Sequence, residues 1–334
     1  VKKKISISDI AKKFHISITT VSFILNGKSK EYRISDDLVK NVKAYINEVG
    51  YKPSQLAQSL RTGKTKIIGL MVEDISNPFF ATIARLIEEM AYESGYKILY
   101  CSTDNDTEKT RELIGMFIDR HVDGYIITPS AGIEKDIMNL IDGERPVVLF
   151  DRFFADVNTN YVVIDNAGSA YTATNHLINR GFKNIAFVTL DSDQSQMLDR
   201  KAGYEKALLD HQLPHIIKTI PFHTEHDNAV DEIVGFLKND PQIDAVFFGT
   251  NYLAISGLEA IKRLDLRIPK SIGIVAFDDH DLFRLHSPTI SAIAQPVEQI
   301  AARLIQVLLA KLCNAPESNQ NYILPTSLIV RESS

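Results

Sequence analysis

The sequence predicts two kinds of architecture in succession. An all-α helix-turn-helix headpiece with a short following helix comes first, then an α/β core of two doubly wound parallel-sheet lobes. Three observations predict this. Residues 6–27, SISDIAKKFHISITTVSFILNG, read as two short helices joined by a tight turn. From Lys66 onward, short continuous apolar runs alternate with amphipathic segments in two successive series. Charge is also divided: residues 1–66 hold 14 Lys or Arg against 5 Asp or Glu, while the 334-residue chain as a whole carries −5.

In the first helix Ser6 and Asp9 form a capping-box start, and Ile10, Ala11 and Phe14 share one face. The chain turns through His15 and Ile16. Ser17 caps a second helix whose Val21, Ile24 and Leu25 point inward, and Asn26-Gly27 ends it. Helices this short need a partner surface. A helical hairpin of no special role would satisfy the same pattern. With the basic charge on the same segment, the second helix is expected to enter a DNA major groove. The polar loop KSKEYR is placed to rest on phosphates. A third helix follows, capped by Ser35, with Asp36 and Asp37 at its positive end and Leu38, Val42, Tyr45, Ile46 and Val49 inward; Gly50 stops it.

Pro53 and Gly63 bracket about eight residues of helix in PSQLAQSLRTG, with Leu56, Ala57 and Leu60 on one side. A basic segment carrying an exposed leucine suits a minor-groove wedge, for which Leu60 is the candidate; an interdomain linker is the plain alternative.

The first strand series is expected at 67–72, 97–102, 122–128, 147–151 and 161–165, the second at 185–190, 215–222, 245–249 and 272–277. Ligands of such sheets bind beyond the carboxyl ends of the strands. There the sequence places Asp74, Asn77, Phe79, Phe80, Asp151, Arg152, Asp165, Arg200, Asn251, Asp278 and Gln295. Amides, carboxylates and guanidinium groups pair with several hydroxyls at once, while phenyl rings cover an apolar sugar face. Any one of these side chains taken alone would serve as a cap or loop hydrogen bond. Together they describe a polyol site.

Several classes are disfavoured. No apolar run approaches the roughly 18 residues of a membrane span. The basic start, VKKKISISDI, has no apolar region behind it and does not read as a secretory signal. Cys101 and Cys313 lack metal or disulfide spacing and fit a reducing cytosol. No nucleophile elbow, P-loop or H-E-x-x-H occurs, so no catalytic residue and no metal site is expected; His223 and His226 resemble a metal pair only faintly.

With these residues in hand, the chain resembles the lactose/galactose-repressor (LacI/GalR) family of bacterial transcription regulators from Ile7 through Arg331. The motifs that carry the resemblance are ISDIAKKFHISITTVSFILNG, GYKPSQLAQSL, IIGLMVEDISNPFF, RHVDGYIITP, VIDNAG, VAFDD, AIAQP and LPTSLIVRES. It implies a headpiece at 1–52, a hinge helix at 53–65 and a core of periplasmic-binding-protein type at 66–334. Chain crossings near Asp165, Ala294 and Leu324 would divide the core into one lobe of about 66–165 and 295–324 and another of 166–294 and 325–334. The resemblance also implies a cytoplasmic homodimer on a near-palindromic double-stranded operator. DNA contacts would come from Ser8, Ser17, Ile18, Thr19, Thr20, Ser22, Phe23, Asn26, Lys28 and Tyr32, and in the hinge from Ala57, Leu60 and Arg61. A small effector would meet Asp74, Asn77, Phe79, Phe80, Asp151, Arg152, Arg200, Asn251, Asp278 and Gln295. The set favours an unphosphorylated pentose or hexose over a purine or phosphosugar, with no cofactor.

Two positions depart from the family pattern. Phe23 replaces a usual arginine, which shifts the expected readout from guanine toward a thymine methyl. Tyr252 replaces a usual acidic residue. A sugar-binding solute receptor and an α/β enzyme acting on a sugar are the competing functions; the basic headpiece counts against the first and the missing catalytic motifs against the second. No heptad tail precedes Ser334, so a dimer is the default assembly.

Overall fold

The computed structural model describes residues 5–51, 63–222, 224–313 and 321–334. It divides at Thr65 and Lys66 into two compact units.

The first unit is three helices around one small core. Helix α1 (Ile7–Lys13) opens on the expected capping box: Ser6 Oγ accepts from the Asp9 amide at 3.3 Å, and the Asp9 carboxylate accepts from the Ser6 amide at 2.9 Å. His15 turns the chain at φ +54°. In α2 (Ile18–Leu25), Ser17 Oγ accepts from the Thr20 amide at 3.0 Å. Helix α3 (Asp36–Val49) departs from expectation at its start. Ser35 holds the cap position but its side chain makes no capping bond, which leaves Asp36 and Asp37 to balance the helix dipole. Ile10, Ala11, Val21, Ile24, Val42 and Ile46 form the core.

The second unit contains two six-stranded sheets. The first sheet is built from β1 (Ile67–Val72), β2 (Lys97–Ser102), β3 (Gly124–Ile127), β4 (Val147–Phe150), β5 (Asn160–Ile164) and β11 (Tyr322–Leu324), in the order β11-β5-β4-β3-β1-β2. The second holds β6 (Ile185–Asp191), β7 (Ile216–Pro221), β8 (Ala245–Phe248), β9 (Gly273–Phe277), β10 (Ser291–Ala294) and β12 (Ser327–Ile329), in the order β12-β10-β9-β8-β6-β7. The permutation is the same in both, with the first strand of each series flanked by the second and third. That is the switch point at which open α/β sheets leave a crevice.

Helices cover both faces of each sheet. In the first lobe they are α4 (Pro78–Glu93) and α12 (Val297–Leu312) on one side, with α5 (Thr107–Asp119) and α6 (Glu134–Asp142) on the other. In the second lobe α7 (Asn166–Asn179) and α8 (Ser195–Asp210) oppose α9 (His226–Asn239) and α10 (Asn251–Arg263). A short α11 (Asp281–Leu285) follows β9. With both faces covered the strands are almost wholly apolar, and Phe150, Phe187, Phe247, Phe248 and Phe277 are fully buried. Each such side chain contributes roughly 1.5–3 kcal/mol.

The expectation of purely parallel sheets fails at one strand: β12 pairs antiparallel with β10. Strand β11 runs parallel to β5 and leaves its sheet at the carboxyl end. Only Pro325 and Thr326 intervene before β12, so the chain enters the second sheet from that same end and runs against its neighbours.

Candidate functional site

On the headpiece, Ile18 is half exposed at the first position of α2, beside exposed Thr19. Ser17, Thr20, Ser22 and Asn26 are engaged locally: Ser17 Oγ lies 2.9 Å from Thr20 Oγ1, and Asn26 Nδ2 donates to the Ser22 carbonyl at 2.6 Å. Lys28 is exposed and Ser8 half-buried. Phe23, expected among the DNA contacts, is not a free ring. It is half-buried and stacked on Tyr32, with ring centroids 3.6 Å apart and planes 6° from parallel. One face of Phe23 is therefore covered by the loop that follows α2. Ala57, Leu60 and Arg61 lie outside the described residues.

In the core, the strand-end residues converge where the two lobes meet. Among the described residues, hydrogen bonds that cross between lobes there include Asn251 Nδ2 to Asn77 Oδ1 at 3.4 Å, Gln194 Nε2 to Asn105 Oδ1 at 2.6 Å, the Phe153 amide to Ser195 Oγ at 3.4 Å and Gln295 Nε2 to Asp278 Oδ1 at 2.6 Å. Asn77 also caps α4, accepting from the Phe79 amide at 3.1 Å. Asp74 holds a turn, accepting from the amide and hydroxyl of Ser76 at 2.8 and 2.6 Å.

Two carboxylates face each other across this junction, each just after a strand. Asp151 follows β4 at φ +69° and Asp278 follows β9 at φ +68°. Burial pushes the Asp151 carboxyl up to about 6, against the pull of Arg152 and Arg200. Burial raises Asp278 too, opposed by Arg200 and by Gln295, whose Nε2 donates to it at 2.6 Å. Arg200 is fixed at three points. Nε donates to Asn166 Oδ1 at 2.9 Å, Nη1 donates to the Gly249 carbonyl at 2.7 Å, and the guanidinium lies 3.6 Å over the Phe277 ring. Gly203 brings α8 close enough for this, since a Cβ there would stand 2.1 Å from the Ala167 carbonyl oxygen.

Arg152 is 2% exposed, and its Nη2 donates to Glu73 Oε2 at 2.6 Å. Among the described residues its Nε and Nη1 make no hydrogen bond, nor does the buried Oε1 of Gln196. Buried donors and acceptors left in this way are costly unless something else meets them.

The expected residues are brought together but do not line one open pocket. Asn77, Phe79, Phe80, Asp151, Arg200 and Asp278 surround a cavity of about 30 Å³, room for a water molecule or two. Asp74, Asn77 and Asn251 line an adjoining cavity of about 430 Å³. Gln295 opens on a third hollow with Phe79 and Asp278, and Arg152 on a fourth with Phe153 and Gln194. Phe80 belongs first to the core, edge-on to Phe150 with centroids 6.0 Å apart.

Glu73, Gln196 and Tyr252 are part of this site and absent from the expected set. The strand-end rule that selects Asp74 applies equally to Glu73, directly after β1. Gln196 lies inside α8 and carries no such signal. His226 is 2.9 Å from Glu259 and near Asp227 on an exposed surface, while His223 falls outside the described residues. Among the described residues no helix is long and apolar enough to cross a membrane.

Comparison with known proteins places both units. Residues 6–54 match the family described as bacterial regulatory proteins, lacI family, and residues 174–334 match the periplasmic binding protein-like domain. A ribose operon repressor of Halalkalibacterium halodurans is 31% identical over 98% of this chain and 96% of its own length. Among solved structures, a LacI family transcriptional regulator from Enterococcus faecium with bound ribose is 26% identical, with a TM-score of 0.73 over 80% of this chain and 98% of that one. A periplasmic binding protein/LacI transcriptional regulator from Alkaliphilus metalliredigens complexed with D-xylulofuranose is 27% identical, with a TM-score of 0.71 over 80% and 99%.

Proposed function

The chain belongs to the lacI family of bacterial regulatory proteins, and from that premise we infer that it is a sequence-specific DNA-binding repressor of sugar-utilisation genes, controlled by a small sugar held between the core lobes. The observation that carries the reading is the convergence of Asp151, Asp278, Arg152 and Arg200 at the strand ends. Two carboxylates accept hydroxyl protons while two guanidinium groups donate to hydroxyl oxygens, which is the complement of a polyol. The unmet Nε and Nη1 of Arg152 and Oε1 of Gln196 are further partners for hydroxyls. An unphosphorylated pentose or hexose suits this set. A phosphate would meet the buried Asp151, Asp278 and Glu73 and be repelled, and a purine ring would leave most of these groups unpaired.

The smaller cavity has to widen to admit a sugar, so binding is coupled to motion of one lobe against the other along the Asn77–Asn251, Asn105–Gln194 and Phe153–Ser195 bonds. In a homodimer that motion alters the spacing of the segments 53–65 and with it the affinity for a near-palindromic operator. Base contacts are assigned to the exposed face of α2 around Ile18 and Thr19, and phosphate contacts to Lys28 and its loop. Ala57, Leu60 and Arg61 are assigned to the minor groove.

Calorimetry with free pentoses, hexoses, purines and phosphosugars tests the effector: binding of free sugars supports the reading, and binding confined to purines or phosphosugars overturns it. Affinity for random duplex DNA as a function of salt tests the headpiece. A steep loss on raising salt is expected of a phosphate-neutralising surface, and a flat dependence would leave a solute receptor as the better account.

A further inference from the structure

The 30 Å³ and 430 Å³ compartments share four lining residues, Glu73, Asn77, Leu190 and Tyr252. Three of these are committed to the fold. Glu73 accepts from buried Arg152, Asn77 caps α4, and Leu190 belongs to the buried core of the second lobe. Tyr252 is the second residue of α10, with its ring packed against that core. It is the one aromatic ring in the shared wall. On the far side, the larger compartment mixes apolar Ile220, Leu253 and Ile255 with polar Thr224 and Ser256, a lining that would accept a second sugar unit or an aryl group.

We propose that Tyr252 sets the size of ligand this cleft admits, its ring separating the compartment of Asp151, Arg200 and Asp278 from the larger one. A free sugar is accepted, and the same sugar carrying a bulky aglycone on the Tyr252 side is refused. Refusal is steric, and even one extra methylene against a hydrophobic wall changes discrimination by about tenfold or more. The proposal rests on the sugar reading of the cleft.

The test is calorimetry of the full chain with the free sugar that binds best and with its aryl glycoside, on wild type, Tyr252→Phe, Tyr252→Leu and Tyr252→Ala. Leucine removes the ring while keeping apolar packing, so it carries the test if alanine does not fold. The expected result is a gain of about tenfold or more for the glycoside in Tyr252→Leu, a smaller change for the free sugar, and no gain in Tyr252→Phe, which keeps the ring. Wild type that binds both ligands equally would overturn the proposal while leaving the sugar reading intact. So would glycoside affinity unchanged across all variants, or a gain in Tyr252→Phe equal to that in Tyr252→Leu. Wild type that binds no sugar overturns the sugar reading instead. The partition is then decided by a crystal structure of Tyr252→Leu: ordered solvent joining the two compartments supports it, and two separate compartments overturn it.

Discussion

Asp151 and Asp278 stand at corresponding places in the two lobes, each turned into the left-handed backbone region directly after a strand. Non-glycine residues are uncommon there, and such sites concentrate where side chains must be aimed. The carboxyl of Asp151 is raised to about 6 by burial, against an ordinary value of about 3.9. The folded chain therefore holds a proton that the unfolded chain has already released between those values. Stability falls as pH rises from about 4 to 6 and levels off above, by an amount on the order of 3 kcal/mol. Thermal melts of Asp151→Asn across that range should show a shallower fall and a higher melting temperature at pH 7 than wild type. On the proposed sugar reading affinity should run the other way, because an ionised carboxylate is a better acceptor of hydroxyl protons than a protonated one. Calorimetry should find it tighter at pH 7.5 than at pH 5 in wild type, with the difference reduced in Asp151→Asn. In the headpiece, Phe23 stacked on Tyr32 presents an edge and one face instead of a free ring. Tyr32→Ala should loosen base preference, and Phe23→Arg should move it toward guanine by about 1–3 kcal/mol at one base pair. Selection of half-sites from a random pool measures both, and an unchanged preferred half-site in Phe23→Arg would remove Phe23 from the readout.

At the level of elements, the contact of α7 with α8 is what holds Arg200 against Asn166 and Gly249. Gly203→Ala sets a methyl 2.1 Å from the Ala167 carbonyl oxygen, which is backbone and cannot rotate away. The helices must part, at a cost of roughly 1–3 kcal/mol. A lower melting temperature and weaker sugar binding are expected together, and full affinity in a destabilised variant would uncouple Arg200 from this packing. Most elements were legible because a strand buried on both faces is a short apolar run and an amphipathic helix has its own period. The short strands β10, β11 and β12 were not among those expected, and the direction of β12 follows from the path of the chain out of β11 and not from the residues Ser327–Ile329. Ser35 takes the cap position that its composition suits, but its hydroxyl makes no capping bond, because side-chain geometry decides that bond. The strand-end rule picked out Asp151 and Asp278 directly after β4 and β9, whereas Arg200 and Gln196 lie inside α8 and the division of the cleft into compartments depends on ring placement at Tyr252, which no local pattern encodes.

For the whole molecule, the decisive feature is that charge and ligand chemistry lie in different units. The basic excess is in residues 1–66, and the buried carboxylates and guanidinium groups are in residues 66–334. Leu282 and Leu285 of α11 are 39% and 82% exposed, an apolar pair on which the proposed homodimer can be tested. Leu285→Asp should shift sedimentation toward monomer and weaken operator binding, since a monomer holds one half-site only, while sugar binding per chain changes little. An unaltered sedimentation profile would move the dimer contact elsewhere. Coupling between the units then has a quantitative form. If sugar lowers operator affinity by some factor, operator must lower sugar affinity by that same factor, because both describe one thermodynamic cycle. Calorimetric titration of sugar with and without saturating operator, set beside operator titration with and without saturating sugar, should return equal factors. They must remain equal in Gly203→Ala as well, even where sugar binding itself is weakened. Unequal factors would mean that sugar and operator engage different populations of the chain, for instance monomer and dimer. Repeating the cycle with Leu285→Asp, in which dimerisation is suppressed, separates that case from a direct link between cleft and headpiece.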